Sequence, residues 1–519
     1  MTPGASDLRP KSFTPPHARE RLYIIFASLL ALFLSALDSL VMGAAMPTIV
    51  AELGGIHLYS WVFSSYMLSR AVALPVFGKL ADLYPNRTLY VASVLIFMVG
   101  SVLAGISRSM IALIVFRAIQ GVGAGGIFSL VYIVLADISK PEDRGKMMAR
   151  ASLVWGLASV LGPTCGGFIV AYFSWRWIFF VNIPLGVVSL WGIVMFLTET
   201  REKRADAFVD YGGICLMTTG VLSLLLVFLL AGRDYPWFSP QVIGLLVVSV
   251  ASGIGFYVVE KHAPEPLLPM EFFRVKAFSW GNAAVLMSSV AVFSLSAFTP
   301  LFVQGAMGRT PVQLGIAMLF LSLGWSGGAL FCGRMVRQGR EKMFALAGAL
   351  LLMAGCGVMV RFSSQTTLTA CSAALALAGF GMGLVSIATL LIVQNSIGSA
   401  HLGVATSSHQ FTRSLGGTIG VGVCGSLMTA VFSKRLAALA ESVRQAGLSA
   451  AVSDQIRQNY ENFFKPEVQA ALSPELRELL HESLGESVIY VFWVALASAA
   501  ICLAIGIMLP GTVRARSKT

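Results

Sequence analysis

Charge is scarce in this chain of 519 residues: 12% Asp, Glu, Lys and Arg, against 56% hydrophobic residues and a mean hydropathy of +0.78. A soluble chain carries roughly 25% charged residues. The deficit excludes a soluble domain of any fold and points to many membrane spans. No CxxC occurs among the seven cysteines, Cys165, Cys215, Cys332, Cys356, Cys371, Cys424 and Cys502, and all fall inside apolar runs. That excludes thiolate metal knuckles and dithiol redox motifs and leaves the thiols as small hydrophobes. There is no HExxH, no GxxxxGK[ST], no GxSxG in an accessible context, and no cluster of carboxylates at outer span ends. A zinc hydrolase, a built-in ATPase and a serine hydrolase lose their motifs together, so no enzyme, cofactor or metal is expected.

Basic residues are present, at a net charge of +12. They lie in short loops between apolar runs, which fits the positive-inside rule and not a nucleic-acid patch. Runs of about 20 apolar residues are long enough to cross a bilayer. Fourteen are expected, at 22–46, 59–80, 88–106, 110–136, 147–173, 177–198, 210–231, 240–259, 278–304, 312–333, 342–361, 367–394, 402–432 and 487–510. The first is too long for a signal-peptide core and lacks a clear cleavage site, so it counts as a span. Before it, residues 1–21 form a Pro-rich basic tail, expected to be disordered.

One set of loops carries Lys79, Arg87, Lys140, Arg144, Lys146, Arg150, Arg201, Lys203, Arg204, Lys261, Arg274, Lys276, Arg334, Arg337, Arg340 and Lys342; the other carries single charges such as Arg108, Arg309 and Arg361. The basic face and both termini, including the tail 511–519, are therefore expected to be cytoplasmic. One long loop, 434–486, falls on the opposite face. Lys434–Ala446 reads as an amphipathic helix stopped by Gly447. Ser473-Pro474-Glu475 reads as an N-cap, a Pro at N1 and an acidic first turn of a helix that could run into the last span. The loop is expected to be a solvated cap or a docking face for an outer partner.

A few ionisable groups interrupt the apolar runs, and such groups mark function by default. Asp38 is nine residues before Pro47, about 14 Å from the outer end of its span at 1.5 Å per residue. Arg70 is nine residues past Trp61, also about 14 Å deep. Arg117 is about 10 Å deep, with Gln120 deeper, and Arg413 lies about 16 Å from the other side. Burial raises a carboxylate's proton affinity and a nearby arginine lowers it. Asp38 with Arg117 or Arg70 beside it therefore reads either as a proton-exchanging group or as a fixed structural ion pair. Two histidines, His401 and His409, flank the start of the thirteenth span; hydrogen-bonded structural roles are expected ahead of a proton relay.

Several stretches resemble one family. Gly78-Lys79-Leu80-Ala81-Asp82-Leu83-Tyr84-Pro85-Asn86-Arg87 is similar to the loop signature of the major facilitator superfamily, and Arg117 to Gly126 to its fourth-span signature. Gly162-Pro163-Thr164-Cys165-Gly166-Gly167 resembles the fifth-span antiporter motif. Asp38 to Pro47, Trp175 to Gly186, Glu265 to Pro269 and Arg413 to Gly417 resemble landmarks of its fourteen-span drug:proton antiporters. The chain departs from those patterns at Leu83, Pro85, Gly43 and Arg70.

The resemblance implies an all-α polytopic fold with two six-helix bundles, 22–198 and 278–510, and two inserted helices within 199–277. A faint repeat agrees, since Gly78–Arg87 is echoed by Gly333–Lys342. It implies further that span 5 meets span 10 and that span 2 meets span 13. Gly78, Asp82, Arg87, Asp137 and Arg144 would form a charged latch at helix ends on the basic face. Gly162, Pro163, Gly166 and Gly167 would give a bent, smooth sliding surface, because small residues four apart share a helix face.

The expected function is proton-coupled export of an amphipathic, apolar or cationic small molecule, of the multidrug-efflux and antibiotic-resistance type, in a bacterial plasma or inner membrane. Asp38, Arg70, Arg117, Gln120 and Arg413 are the candidates for proton coupling and substrate. Export of one endogenous metabolite, siderophore or lipid is the alternative. A polytopic enzyme or receptor is a distant third.

Overall fold

The computed structural model describes residues 18–54, 58–140, 143–197, 210–232, 235–337, 339–398, 401–445 and 474–511. Among them are fourteen long helices, one for each expected span: α1 (Ala18–Leu53), α2 (Tyr59–Leu83), α3 (Asn86–Gly105), α4 (Met110–Asp137), α5 (Arg144–Tyr172), α6 (Trp177–Phe196), α7 (Tyr211–Leu230), α8 (Pro240–His262), α9 (Lys276–Ala306), α10 (Pro311–Met335), α11 (Glu341–Met359), α12 (Leu368–Ser396), α13 (Leu402–Gln445) and α14 (Pro474–Met508). Thirteen are long and apolar enough to cross a bilayer. The fourteenth, α2, carries Arg70, Lys79 and Asp82 within its length.

The sequence starts helices where it supplies acceptors. Side-chain oxygens of Ser109, Asp210, Ser239, Thr310 and Thr367 each take a first-turn N–H of α4, α7, α8, α10 and α12. Pro240 and Pro311 stand in the first turn of α8 and α10, where the missing N–H costs nothing. At Pro300, α9 passes into a π-helical stretch, Leu301–Ala306.

Two expectations shift, at 434–446 and at 18–21, and one holds, at Pro474. The separate helix at 434–446 is instead the end of α13, which runs unbroken past 432 to Gln445, because no helix breaker stands before Gly447. The helix begun at Pro474 continues into the last span without interruption. Residues 18–21 of the expected tail belong to α1. Residues 1–17, 446–473 and 512–519, and the loop with Arg201, Lys203 and Arg204, lie outside the described residues.

Packing repeats. In the first six helices α1 contacts α4, α5 and α6, α4 contacts α2 and α3, and α3 contacts α6. In the last six α9 contacts α12, α13 and α14, α12 contacts α10 and α11, and α11 contacts α14: the same pattern, helix for helix. Helices α7 and α8 pair with each other, and α7 leans on α2 and α13. The two groups meet along α5·α10 and α2·α13, as the resemblance implied.

Toward the basic face the two groups share one core, in which Ile127, Leu130 and Met148 belong to the same cluster as Ala329, Leu384 and Leu391. Toward the opposite face the cores are separate. One contains only first-group residues, such as Met42, Leu113 and Trp175, and the other only second-group residues, such as Leu295, Phe302 and Phe492. The molecule is therefore closed at the basic face and split at the other.

Candidate functional site

Asp38 is buried at the centre of the first group, on α1. Its Oδ2 accepts from Arg117 of α4 at 2.6 Å. Its Oδ1 accepts from the Gln120 amide at 2.9 Å and from the Asn182 amide of α6 at 2.8 Å. Ser101 of α3 accepts from both amides, at 3.2 and 2.9 Å, and its own hydroxyl donates to the Phe179 carbonyl. Four helices thus converge on one carboxylate. Arg117 also donates to Gln120 Oε1 at 2.6 Å and stacks on the Tyr66 ring at 4.1 Å. Ser39 in turn donates to the Tyr66 hydroxyl.

Asp38, Arg117, Gln120, Asn182, Ser101 and Tyr66 are all removed from solvent, and the pair stands because its lone pairs and protons are matched, save Arg117 Nε, which has no acceptor among the described residues. A cavity of about 420 Å³ between α1, α5 and α6 reaches this network, lined by Asp38 and Asn182 together with apolar side chains such as Leu37, Cys165, Phe168 and Val181.

The structure separates two groups the sequence placed together by depth. Arg117 and Gln120 bond Asp38. Arg70 does not. Its guanidinium lies over Phe128 at 4.4 Å and Trp155 at 5.3 Å. Arg413, from α13, approaches the same Phe128 at 5.3 Å and hydrogen-bonds Tyr132. Equal depth fixed the level of Arg70 and not its azimuth, and the helix turns it toward the junction of the groups. The sequence does not mark Asn182 or Ser101 as site residues, although Asn182 lies within the stretch Trp175 to Gly186. An amide or hydroxyl in an apolar run is a weak signal until a partner is known.

At the basic face Asp82 closes the α2·α13 seam. Its carboxylate accepts from the backbone N–H groups of Gly403 and Val404, at 2.8 and 2.9 Å. The expected latch between charged side chains is thus, for Asp82, a carboxylate on a helix N-terminus, where unpaired N–H groups and the helix dipole favour an anion. Asp137 accepts from Asn86 at 3.0 Å, and Arg144 donates to the Ala136 carbonyl. Arg87 sits in the first turn of α3. Gly78 packs on Gly403 and Ser407, and at the other seam Gly333 packs on Gly145. Each is a backbone approach that a Cβ would obstruct.

Gly162 and Gly167, farther along α5, behave differently. Gly162 packs on Leu40 of α1, within its own group, and Gly167 faces open space. The contacts of α5 with α10 lie nearer the basic face, where Ser326 donates to the Ser152 carbonyl and abuts Gly156. Gly162 and Gly167 therefore lie outside the seam in this conformation.

Two further landmarks gain a structural account. Lys79, 4% exposed, pairs with Glu265 at 3.1 Å, while Glu260 accepts from Leu267 and Leu268, so α8 is pinned to the end of α2. Lys79 is thus an ion-paired tether, and not a free topology charge. Trp175 and Arg176 both donate to Glu52, at 2.7 and 2.6 Å, tying the α5–α6 turn to the end of α1. These bonds hold the Glu52 carboxyl below its ordinary value, Arg176 more than Trp175. His409 is hydrogen-bonded to Thr389 at 2.9 Å, the structural role expected of it.

Comparison with known proteins agrees with this architecture. The chain is 33% identical over 496 residues to the multidrug transporter protein MdtP of Bacillus subtilis (strain 168), covering 93% of this chain and 92% of that one. It is 28% identical over 498 residues to multidrug resistance protein 3 of the same organism, covering 95% and 96%. The fold superposes on the proton:xylose symporter XylE with a TM-score of 0.59, at 12% identity, over 96% of this chain and 98% of the other. Residues 28–421 match the description of the Major Facilitator Superfamily. With the repeated six-helix packing and relatives named as multidrug transporters, the chain belongs to the Major Facilitator Superfamily of membrane transporters.

Proposed function

We propose that this transporter is a fourteen-span drug:proton antiporter that exports amphipathic small molecules as protons enter. The basic face and both termini lie in the cytoplasm of a bacterial cell, so the closed face is inner and the split face outer. The observation that carries the reading is Asp38. Of the 25 acidic residues it alone stands in the middle of a span, and a cavity abuts it. A carboxylate held by one arginine and two amides exchanges a proton only if that network rearranges. Protonation therefore has a conformational price, which is what coupling requires.

In this reading Arg117 is the fixed counter-charge, since it keeps its proton, and Gln120 and Asn182 orient the carboxylate. Gly78, Asp82, Gly145 and Gly333 hold the inner seams. Rocking of the two groups about α5·α10 and α2·α13 alternates access. The relatives' names support a multidrug range over a single metabolite.

Proteoliposomes with an imposed pH gradient test the proposal. Gradient-driven uptake of a fluorescent amphipathic dye is expected in the wild type and is lost in Asp38→Asn, while dye exchange without a gradient persists. Flux indifferent to the gradient, or unchanged coupling in Asp38→Asn, refutes it.

A further inference from the structure

At the junction of the two groups lies a second set of buried charges, which the proton-coupling reading does not use. Arg70 of α2 is 8% exposed, and Arg413 of α13 faces it from the other group. Both guanidiniums lie against Phe128, at 4.4 and 5.3 Å from the ring centre, which bounds their separation at 9.7 Å. Trp155 flanks Arg70 at 5.3 Å, and Trp325 flanks Arg413 at 6.0 Å. Phe293 stacks edge-on against Trp325. Phe128 and Trp155 belong to the shared core of the closed half; Phe293 and Trp325 pack on the separate core of the split half. The arginines therefore sit where the shared core ends, at the floor of the opening.

Neither guanidinium meets a carboxylate among the described residues. The sequence supplies none for them: Asp38 is the single mid-span acid, and it is committed to Arg117, Gln120 and Asn182. Arg70 Nε and the neighbouring Trp155 Nε1 are buried donors without an acceptor among the described residues. Two permanent cations in a membrane interior are costly, and aromatic faces offset only part of that cost. Unpaired N–H donors, positive charge and flat apolar walls are complemented by an aromatic body bearing an anionic group. Guanidiniums bind carboxylate and sulfonate oxygens through charge-assisted, often bidentate hydrogen bonds.

We infer that Arg70 and Arg413 together form the recognition site for the anionic group of an amphipathic aromatic substrate, with Phe128, Trp155 and Trp325 receiving its ring system. This rests on the export reading above and replaces its apolar or cationic cargo with an organic anion. The site stands in both groups, so rocking would change the distance between the arginines and with it the affinity.

Equilibrium binding tests the inference on the purified full chain in uncharged maltoside micelles. The probes are a matched pair, 1-pyrenesulfonate and 1-pyrenemethyl-trimethylammonium, which share a ring system and differ in charge. Quenching of tryptophan fluorescence reads affinity. The sulfonate is expected to bind about tenfold or more tighter than the ammonium, because one charge-assisted hydrogen bond is worth about that ratio. Arg70→Gln and Arg413→Gln, each compared only after it elutes as a monodisperse folded species, are expected to lose about tenfold or more in sulfonate affinity, and Arg413→Lys less than Arg413→Gln.

Equal or tighter binding of the ammonium by the wild type overturns the inference without recourse to any variant. So does unchanged sulfonate affinity in both glutamine variants. The measurement needs no gradient. Loss of gradient-driven flux with anion selectivity intact would therefore refute the export reading alone, and cation preference with flux intact would refute this one alone.

Discussion

Replacing Asp38 by Asn tests the buried network most directly. The substitution keeps the shape and one acceptor oxygen but removes the negative charge. Arg117, 1% exposed, would retain the Gln120 oxygen at 2.6 Å and the Tyr66 ring at 4.1 Å, and lose its ion-pair partner at 2.6 Å. Removing one member of a buried ion pair costs about 3–5 kcal/mol, mostly from the charge left behind. The Asn amide would add a clash of its own: with its oxygen kept where Gln120 and Asn182 donate, its NH2 faces the Arg117 donor. We expect Asp38→Asn to lower unfolding free energy by about 3–5 kcal/mol in a denaturing-detergent titration. Arg117→Gln should cost a similar amount. The double variant should cost clearly less than the two combined, because neither charge is then stranded. A single-variant loss below about 0.5 kcal/mol, or strict additivity, would refute the account, since it would mean that water or rearrangement already screens the pair.

Other perturbations follow from neighbouring contacts. Gly333→Val places a side chain into the backbone of Gly145 and should wedge the basic-face seam open; spin-label distances across α5·α10 should lengthen by several ångström, and unchanged distances would count against the close approach. Glu265→Gln strands the buried Lys79 ammonium and should destabilise by about 1–3 kcal/mol, with Lys79→Met/Glu265→Leu recovering most of it in thermal melts. The Glu52 carboxyl is depressed below its ordinary 4.5, so its contribution is full above that pH and fades as pH falls through the depressed value. The stability gap between wild type and Arg176→Gln should accordingly be constant near neutrality and shrink in acid; a gap that grows in acid would contradict the assignment.

Much of this is legible in the sequence alone. The apolar runs located every long helix, because a bilayer leaves the backbone few alternatives. The seams α2·α13 and α5·α10 followed from the family resemblance. Asp38, Arg117 and Gln120 were placed together correctly because depth along a helix is a linear count. What depth omits is rotation about the axis. That omission put Arg70 beside Asp38, when it faces Arg413, and gave Gly162 to the seam, when it rests on Leu40. Spans that are apolar all round carry no moment by which rotation could be read. Asn182 and Ser101 were hidden for a related reason: their role exists only once α3, α4 and α6 are brought around α1. The backbone donor role in the latch, by contrast, is invisible in any sequence, since Gly403 and Val404 contribute N–H groups that almost every residue has.

The echo between Gly78–Arg87 and Gly333–Lys342 has one mismatch with mechanical weight. Counting four residues on from the glycine gives Asp82 in the first copy and Arg337 in the second. The glycine crossings are duplicated, but the anion seated on the partner helix's N-terminus is not. One seam is therefore clasped by charge, while its twin is held by contact. The α5·α10 crossing carries a serine-to-carbonyl hydrogen bond, whereas opening the other seam unseats a carboxylate from two N–H groups, an interaction that salt weakens. In the proposed rocking, a symmetric architecture thus acquires a handed motion, with α5·α10 as the pivot and α2·α13 as the catch.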